Sequence, residues 1–403
     1  VVGVARVKLL YVVQRYGPEI AGGAEAHCRA FARQLVARGH EVEVVTSCAR
    51  DYATWANAYE AGDELDDNVV VHRLAVSGER DTKFFAPLSD RVLSSRYLAP
   101  WHLQKRWLDV QGPLLGDLVP WLDANLDRFD VVIFFTYLYY PTPVGVAFAA
   151  GRRPVVLHPT AHDEPPFRLP MFRSMMRLVD AFAFSTPEEE ALVRTRIGAR
   201  PASAVVGVGV DPPRPEPGAL ARVALGLGDR PYLLCLGRVE ALKGSLELAA
   251  FFAAYKARQP GPLMLVFAGD RVQTPQPHPD VLLAGVVSDE VKRSLLAGCE
   301  LLVAPSFYES FSMVLTEAWV YGKATLVQGR CDVLAGQVER TGAGFAYTGF
   351  AEFETALELL RGDAPLRARL GAAGARYVDE NYTWDVVMER YESLLERAAS
   401  MVP

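Results

Sequence analysis

An α/β fold of two domains, each a largely parallel sheet flanked by helices, follows from three features of the 403-residue chain. Short apolar runs alternate with helix-length segments in the N-terminal half, and the same alternation returns after residue 231. Between the two series lies DPPRPEPG (211–218), a proline-rich linker. Half of the residues are hydrophobic, enough for two sizeable cores. The expected boundary falls between 1–206 and 207–380, with a last segment, 381–403, beyond the second unit.

In order, residues 7–13 (VKLLYVV) read as a buried strand. Residues 24–37 read as a helix, because Ala24, Cys28, Phe31, Ala32 and Leu35 recur at three- and four-residue spacing and Gly39 stops them. Strands follow at 41–46 and 69–74, and residues 84–127 read as mostly helical. The uncharged stretch 131–151 is long enough to span a bilayer. Its prolines and Thr/Tyr-rich centre instead predict a buried strand (131–135), a loop (136–143) and a short helix (144–150). Strands are expected at 154–158, 181–185 and 204–210. Thr186-Pro187-Glu188-Glu189 has the form of a capping box whose acids are structural. The second series is strand 232–236, helix 244–258, strands 263–268 and 281–283, helix 288–297, strand 301–304, helix 312–321 and strand 324–327. A final helix is expected at 384–399.

Net charge is −6 and the pI about 5.8, which excludes wholesale nucleic-acid binding. Residues 1–206 carry 23 basic and 24 acidic side chains and the remainder 19 and 24, so the N-terminal half better tolerates an acidic surface. Five scattered cysteines without a CxxC or His/Cys cluster read as buried thiols of a reducing compartment, hence a cytoplasmic protein. No leader-like segment stands before the first strand. Between Phe84 and Trp107, Trp101, Trp107 and Tyr97 mix with Arg91, Arg96, Lys105 and Arg106. Two readings stay open: aromatics packing the domain, or peripheral contact with the headgroups of an anionic membrane.

Chemistry concentrates in PSFYESFSMVLTEAWVYG (305–322). If a helix starts near Ser310 or Ser312, its free N–H groups face an anion, and Glu317 lies about 7–10 Å further on, the span from a diphosphate to a ribose. Glu309 then suits sugar hydroxyls, Ser310, Phe311, Ser312 and Met313 the phosphates, and Glu317 the ribose. Upstream, Arg238 and Lys243 follow a predicted strand, where open α/β sheets bind ligands. A forked guanidinium and a mobile ammonium suit a leaving diphosphate. Gly22-Gly23, at the first strand-to-helix turn, permits close approach of a phosphate or is a plain turn. Glu25 beside it reads first as a helix cap.

GRVEALKG (237–244), Glu309-x7-Glu317 and the strand–glycine–helix unit KLLYVVQRYGPEIAGGAE (8–25), in this order, resemble family 4 of the retaining glycosyltransferases. That resemblance implies the GT-B architecture, two Rossmann-like domains facing across a cleft, with the last helix crossing back onto the N-terminal domain. It implies a nucleotide-sugar donor (UDP or GDP) and a hydroxyl acceptor on a saccharide, a lipid-linked molecule or a small metabolite. By it, Arg238 and Lys243 hold the diphosphate, Glu309 the sugar and Glu317 the ribose. Gly22 and Gly23 lie over the diphosphate, His162 faces the transferred sugar, and Gly285–Val287 border the base. Ser310 and Ser312 stand where the family has glycines and Thr316 where it has leucine, which should re-polarise the sugar pocket. No Asp-x-Asp occurs, so neither metal nor other cofactor is expected.

A glycoside hydrolase fits less well: two glutamates eight residues apart on a helix stand about 12 Å apart, against ~5–9.5 Å for its carboxyl pair. An NAD enzyme lacks G-x-G-x-x-G between strand and helix, and a Walker-type NTPase lacks the glycine before Lys243. A GT-B epimerase or phosphorylase and a non-catalytic sugar-nucleotide-binding module are the remaining rivals.

Overall fold

The computed structural model describes residues 6–20, 22–94, 99–199, 201–214 and 219–401. Two units emerge, one of Val1–Gly207 with Val387–Pro403 and one of Val208–Val386. Arg96, Tyr97 and the last four linker residues lie outside the described residues.

Unit 1 runs β1 (Lys8–Val12), α1 (Gly23–Ala37), β2 (Glu41–Ser47), β3 (Gly62–Asp66), β4 (Val69–Leu74), α2 (Thr82–Leu93), α3 (Trp101–Gln111) and α4 (Leu118–Asn125). It continues with β5 (Val131–Phe135), α5 (Pro141–Ala149), β6 (Val155–His158), α6 (Pro170–Met176), β7 (Ala181–Phe184), α7 (Pro187–Ile197) and β8 (Ala202–Val205). Its eight strands lie in the order β3-β4-β2-β1-β5-β6-β7-β8. Every pair is parallel except β3–β4. β5, buried throughout, and β1, buried from Leu9 on, form its centre, as their apolar residues require. The antiparallel edge strand β3 escapes sequence reading because GDELD is polar and exposed. Helix α5 starts three residues earlier than expected, on Pro141, whose fixed φ suits a first helical position.

Trp107 is buried, with its indole N–H donating to Ser89 Oγ at 2.9 Å, so it belongs to the core. Trp101 is 60% exposed, and Arg106 stacks over Phe84. No described helix is long and apolar enough to cross a membrane.

Behind β1 and β6 two imidazoles are sealed among aromatics. His27 packs edge-on to His158, and His158 stacks on Phe135 at 4.2 Å. Neither Nε2 has a hydrogen-bond partner among the described residues. Burial pushes His27 from 6.5 down to about 3 and His158 well below its ordinary range. Unfolded, both take up protons near pH 6.5; folded, they do not. The unfolded state therefore binds more protons between pH 6.5 and about 3, and stability falls as pH drops through that window. The melting temperature should decline from pH 7 to pH 5, with a shallower slope in His27→Phe. Identical slopes in variant and wild type would contradict this.

Unit 2 holds α8 (Ala219–Ala224), β9 (Tyr232–Leu236), α9 (Ser245–Arg258), β10 (Met264–Ala268), β11 (Val281–Gly285), α10 (Asp289–Gly298) and β12 (Leu301–Ala304). Then come α11 (Met313–Val320), β13 (Thr325–Gln328), α12 (Asp332–Thr341), β14 (Gly344–Tyr347), α13 (Phe350–Gly362) and α14 (Ala364–Asn381). Six parallel strands lie in the order β11-β10-β9-β12-β13-β14. The last helix, α15 (Trp384–Ala399), is part of unit 1 from Val387 on. There Tyr391 meets the Tyr11 hydroxyl at 3.0 Å and Glu392 meets His40.

Candidate functional site

In unit 2, β10 lies on one side of β9 and β12 on the other, so the strand order reverses between β9 and β12. Loops leaving the carboxyl ends of such a pair diverge and open a crevice. The loop after β9 carries Arg238 and Lys243, and the loop after β12 carries Glu309. Gly244 joins the two. Its φ is +69°, and a Cβ there would stand 1.9 Å from the Pro305 carbonyl oxygen, so only glycine permits the approach. Phe307 N–H also donates to the Leu242 carbonyl at 3.4 Å. The result is a direct ion pair, Lys243 Nζ to Glu309 Oε1 at 2.8 Å, with both side chains partly open to solvent. Arg238 pairs with Glu240 at 3.0 Å, and its carbonyl accepts from Ser245 Oγ.

Helix α11 begins at Met313, later than the earliest start expected from sequence. Glu309 therefore stands in the preceding loop, off the helix axis, and the 12 Å rise estimated between the glutamates does not apply. Glu317 is four residues past Met313, a rise of about 6 Å, rather than 7–10 Å. Phe311 contributes backbone to this turn: its ring is buried edge-on to Tyr382 and its carbonyl accepts from Gln337. Ser310 is half-buried in the same loop. Ser312 adopts φ 72°, ψ 77°, a left-handed conformation that explains a glycine preference there. Thr316 does not re-polarise a sugar pocket, since it is buried and its hydroxyl bonds the Met313 carbonyl at 2.9 Å. The helix is held from behind by Trp319, against which Gly374 of α14 packs so closely that a Cβ would stand 2.5 Å from the ring.

Glu317 is engaged by a residue that sequence reading missed. Lys292 of α10 donates to Glu317 Oε1 at 2.9 Å. Burial alone would lower this lysine, but the charge and hydrogen bond of Glu317 outweigh it and hold the ammonium above its ordinary range. Both residues line a hollow of about 300 Å³ together with Met313, Thr316, Asp289 and Trp384. A second hollow, of about 410 Å³, opens at the carboxyl ends of β10 and β11, walled by Asp270, Arg271, Leu283, Gly285 and Val286. Val286 rather than Val287 forms that wall, and its side chain is 77% exposed.

In unit 1 the strand order reverses between β1 and β5. Gly22 stands as N-cap of α1, and Gly23 is its first residue. Glu25 makes no cap. Its carboxylate takes two hydrogen bonds from Arg15, at 2.6 and 3.0 Å, in a pair nine-tenths buried. A Cβ on Gly22 would stand 2.0 Å from Glu25 Oε2, so a larger residue there would have to displace this carboxylate.

His162 lies in the loop after β6, with Nδ1 3.3 Å from Glu164 Oε1, the oxygen that also accepts from Tyr137 at 2.6 Å. Asp163 pairs outward with Arg168. The loop is pinned by Glu189, whose buried carboxylate accepts the amides of Ala161 and Ser185, both at 2.7 Å. The expected capping box is thus half made: Thr186 Oγ1 accepts from Glu189 N–H, while the Glu189 side chain turns to the β6 and β7 loops. Burial raises Glu189 to about 8, opposed by those two amides.

Residues 22–209 match the family described as "Glycosyl transferase 4-like domain", and residues 221–377 match "Glycosyl transferases group 1". The chain belongs to the family 4 glycosyltransferases. This glycosyltransferase is 28% identical to a D-inositol 3-phosphate glycosyltransferase of Kineococcus radiotolerans, over 98% of its own chain and 96% of that protein. It is 24% identical to a GDP-mannose-dependent alpha-(1-6)-phosphatidylinositol monomannoside mannosyltransferase of Mycolicibacterium smegmatis, over 96% and 98%. Among solved structures, Anabaena HepE in complex with UDP and glucose superposes with a TM-score of 0.70 at 17% identity, covering 98% of this chain and all of that one. The fold of the glycosyltransferase is GT-B.

Proposed function

We propose that this glycosyltransferase moves a sugar from a UDP- or GDP-sugar to an acceptor hydroxyl with retention of anomeric configuration and without a metal ion. The observation that carries the reading is the Lys243–Glu309 contact at the switch point of unit 2, directly before the open N-terminus of α11. A cation and a carboxylate held that close present a diphosphate site and a sugar-hydroxyl site side by side. In the transfer, the bond from the anomeric carbon to the diphosphate oxygen breaks. The bond to the acceptor oxygen forms on the same face, and the acceptor proton passes to the leaving phosphate. The protein's task is to stabilise the departing charge and hold the partners, so it needs no base of its own.

Arg238, Lys243 and the first amides of α11 take the diphosphate, Glu309 the sugar hydroxyls and Glu317 the ribose. The base rests in the hollow beside Gly285 and Val286. Both bases stay in the reading, since one relative is named for GDP-mannose and HepE is described with UDP. By the family resemblance, Gly22 and Gly23 go to the phosphates and His162 to the transferred sugar. A lipid-linked acceptor is the variant that the membrane reading of Trp101 and its basic neighbours would favour.

A thermal-shift and hydrolysis screen against UDP-, GDP- and ADP-sugars, run with and without excess EDTA, tests the proposal. One nucleotide should stabilise the protein and one donor should be slowly hydrolysed. The rate in EDTA should stay within about twofold, because the two cations already neutralise the leaving group. Total loss of activity in EDTA, restored by Mg²⁺ or Mn²⁺, would overturn metal independence.

A further inference from the structure

Among the described helices, α2, α7, α10 and α14 have a side-chain N-cap. Thr186 before α7, Ser288 before α10 and Asp81 before α2 are extended, and each side-chain oxygen accepts a first-turn amide. Ser312 before α11 is different. Its hydroxyl makes no cap bond, and Oγ is buried with no hydrogen-bond partner among the described residues, on a residue 6% exposed.

A non-glycine residue in its left-handed region is strained, and an orphaned buried hydroxyl adds to the cost. Glycine would remove both at once. Two unfavourable features on one residue, three positions after Glu309 in the same loop, mark Ser312 as a candidate ligand-binding residue. Ser312 directly precedes Met313 and Val314, first-turn residues whose N–H groups have no helical carbonyl to bond. Two amides and a hydroxyl at a positive helix end make a donor set for a phosphate oxygen.

We infer that Ser312 Oγ–H donates a hydrogen bond to the diphosphate of the donor, making Ser312 a binding residue through its side chain and not only through its backbone. This rests on the nucleotide-sugar reading above. The backbone strain persists because the bound diphosphate returns the hydroxyl's missing bond.

Ser312→Gly and Ser312→Ala separate strain from binding. The glycine variant should melt about 2–4 °C higher than wild type, as relief of that strain implies for a unit of this size. The alanine variant keeps the left-handed backbone, sheds only the orphaned hydroxyl, and should gain less. Both should bind UDP or GDP, whichever the wild type binds, about 10–100-fold more weakly, the range for a hydrogen bond to a charged group. UMP or GMP, with one phosphate fewer, should lose less. If both variants keep wild-type affinity for the diphosphate while Lys243→Ala loses it, the Ser312 assignment falls and the nucleotide site stands. If folded wild type binds neither UDP nor GDP, both fall together.

Discussion

Lys243→Ala should lower sugar transfer by ~10²–10³-fold, the loss typical when one preorganised donor to a developing anion is removed. Arg238→Ala should lose a similar factor. Folding should survive both, because the side chains stand on a loop and remain partly exposed. The ion pair adds a sharper expectation. Removing Lys243 also leaves Glu309 without its 2.8 Å partner, so each single change disturbs the other residue. In a double-mutant cycle, Lys243→Ala with Glu309→Ala should cost less than the product of the two single losses. Single-turnover rates with saturating donor measure this, and strict multiplicativity would mean that the two residues act independently.

The second large effect is the division of labour between the glutamates. Glu309→Ala should depress transfer about 10–100-fold without weakening free UDP or GDP, because it is assigned to the sugar and its loss only frees Lys243 for the phosphates. Glu317→Ala should weaken the free nucleotide by a comparable factor. Lys292→Met should follow Glu317→Ala, since Lys292 holds that carboxylate in place. Calorimetry with the free nucleotide reads all three variants, and equal loss in Glu309→Ala and Glu317→Ala would sink the division.

Much of the scaffold was legible because its strands are apolar. The expected bounds of β5, β9 and β12 coincide with those observed, since VVIFF, YLLCL and LLVA have no reading other than buried strands. The polar β3 gave no such signal, and α12, α13 and α14 lie in a stretch where strong helix formers are mixed with glycines and charges. Arg238, Lys243 and Glu309 could be named because they follow strands. That Lys243 and Glu309 touch needed the sheet order, which sets β9 beside β12 although 64 residues lie between Leu236 and Leu301.

Lys292 was illegible for a different reason: on an amphipathic helix, a lysine three residues after Asp289 reads as part of a solvated face. Glu25 reads as a cap in the sequence because its partner, Arg15, is reached only when the chain turns between β1 and α1. The serine at 312 was visible as a departure from the family's glycine, but its left-handed backbone and orphaned hydroxyl belong to three dimensions.

The most direct measurement is a calorimetric titration of the wild type and Lys243→Ala with a nucleoside diphosphate and its monophosphate. If the loops after β9 and β12 hold a diphosphate, the wild type should bind UDP or GDP at least about tenfold more tightly than UMP or GMP, and Lys243→Ala should erase most of that difference. Equal affinity for mono- and diphosphate in the wild type, or an undiminished preference in Lys243→Ala, would contradict a diphosphate site at Lys243.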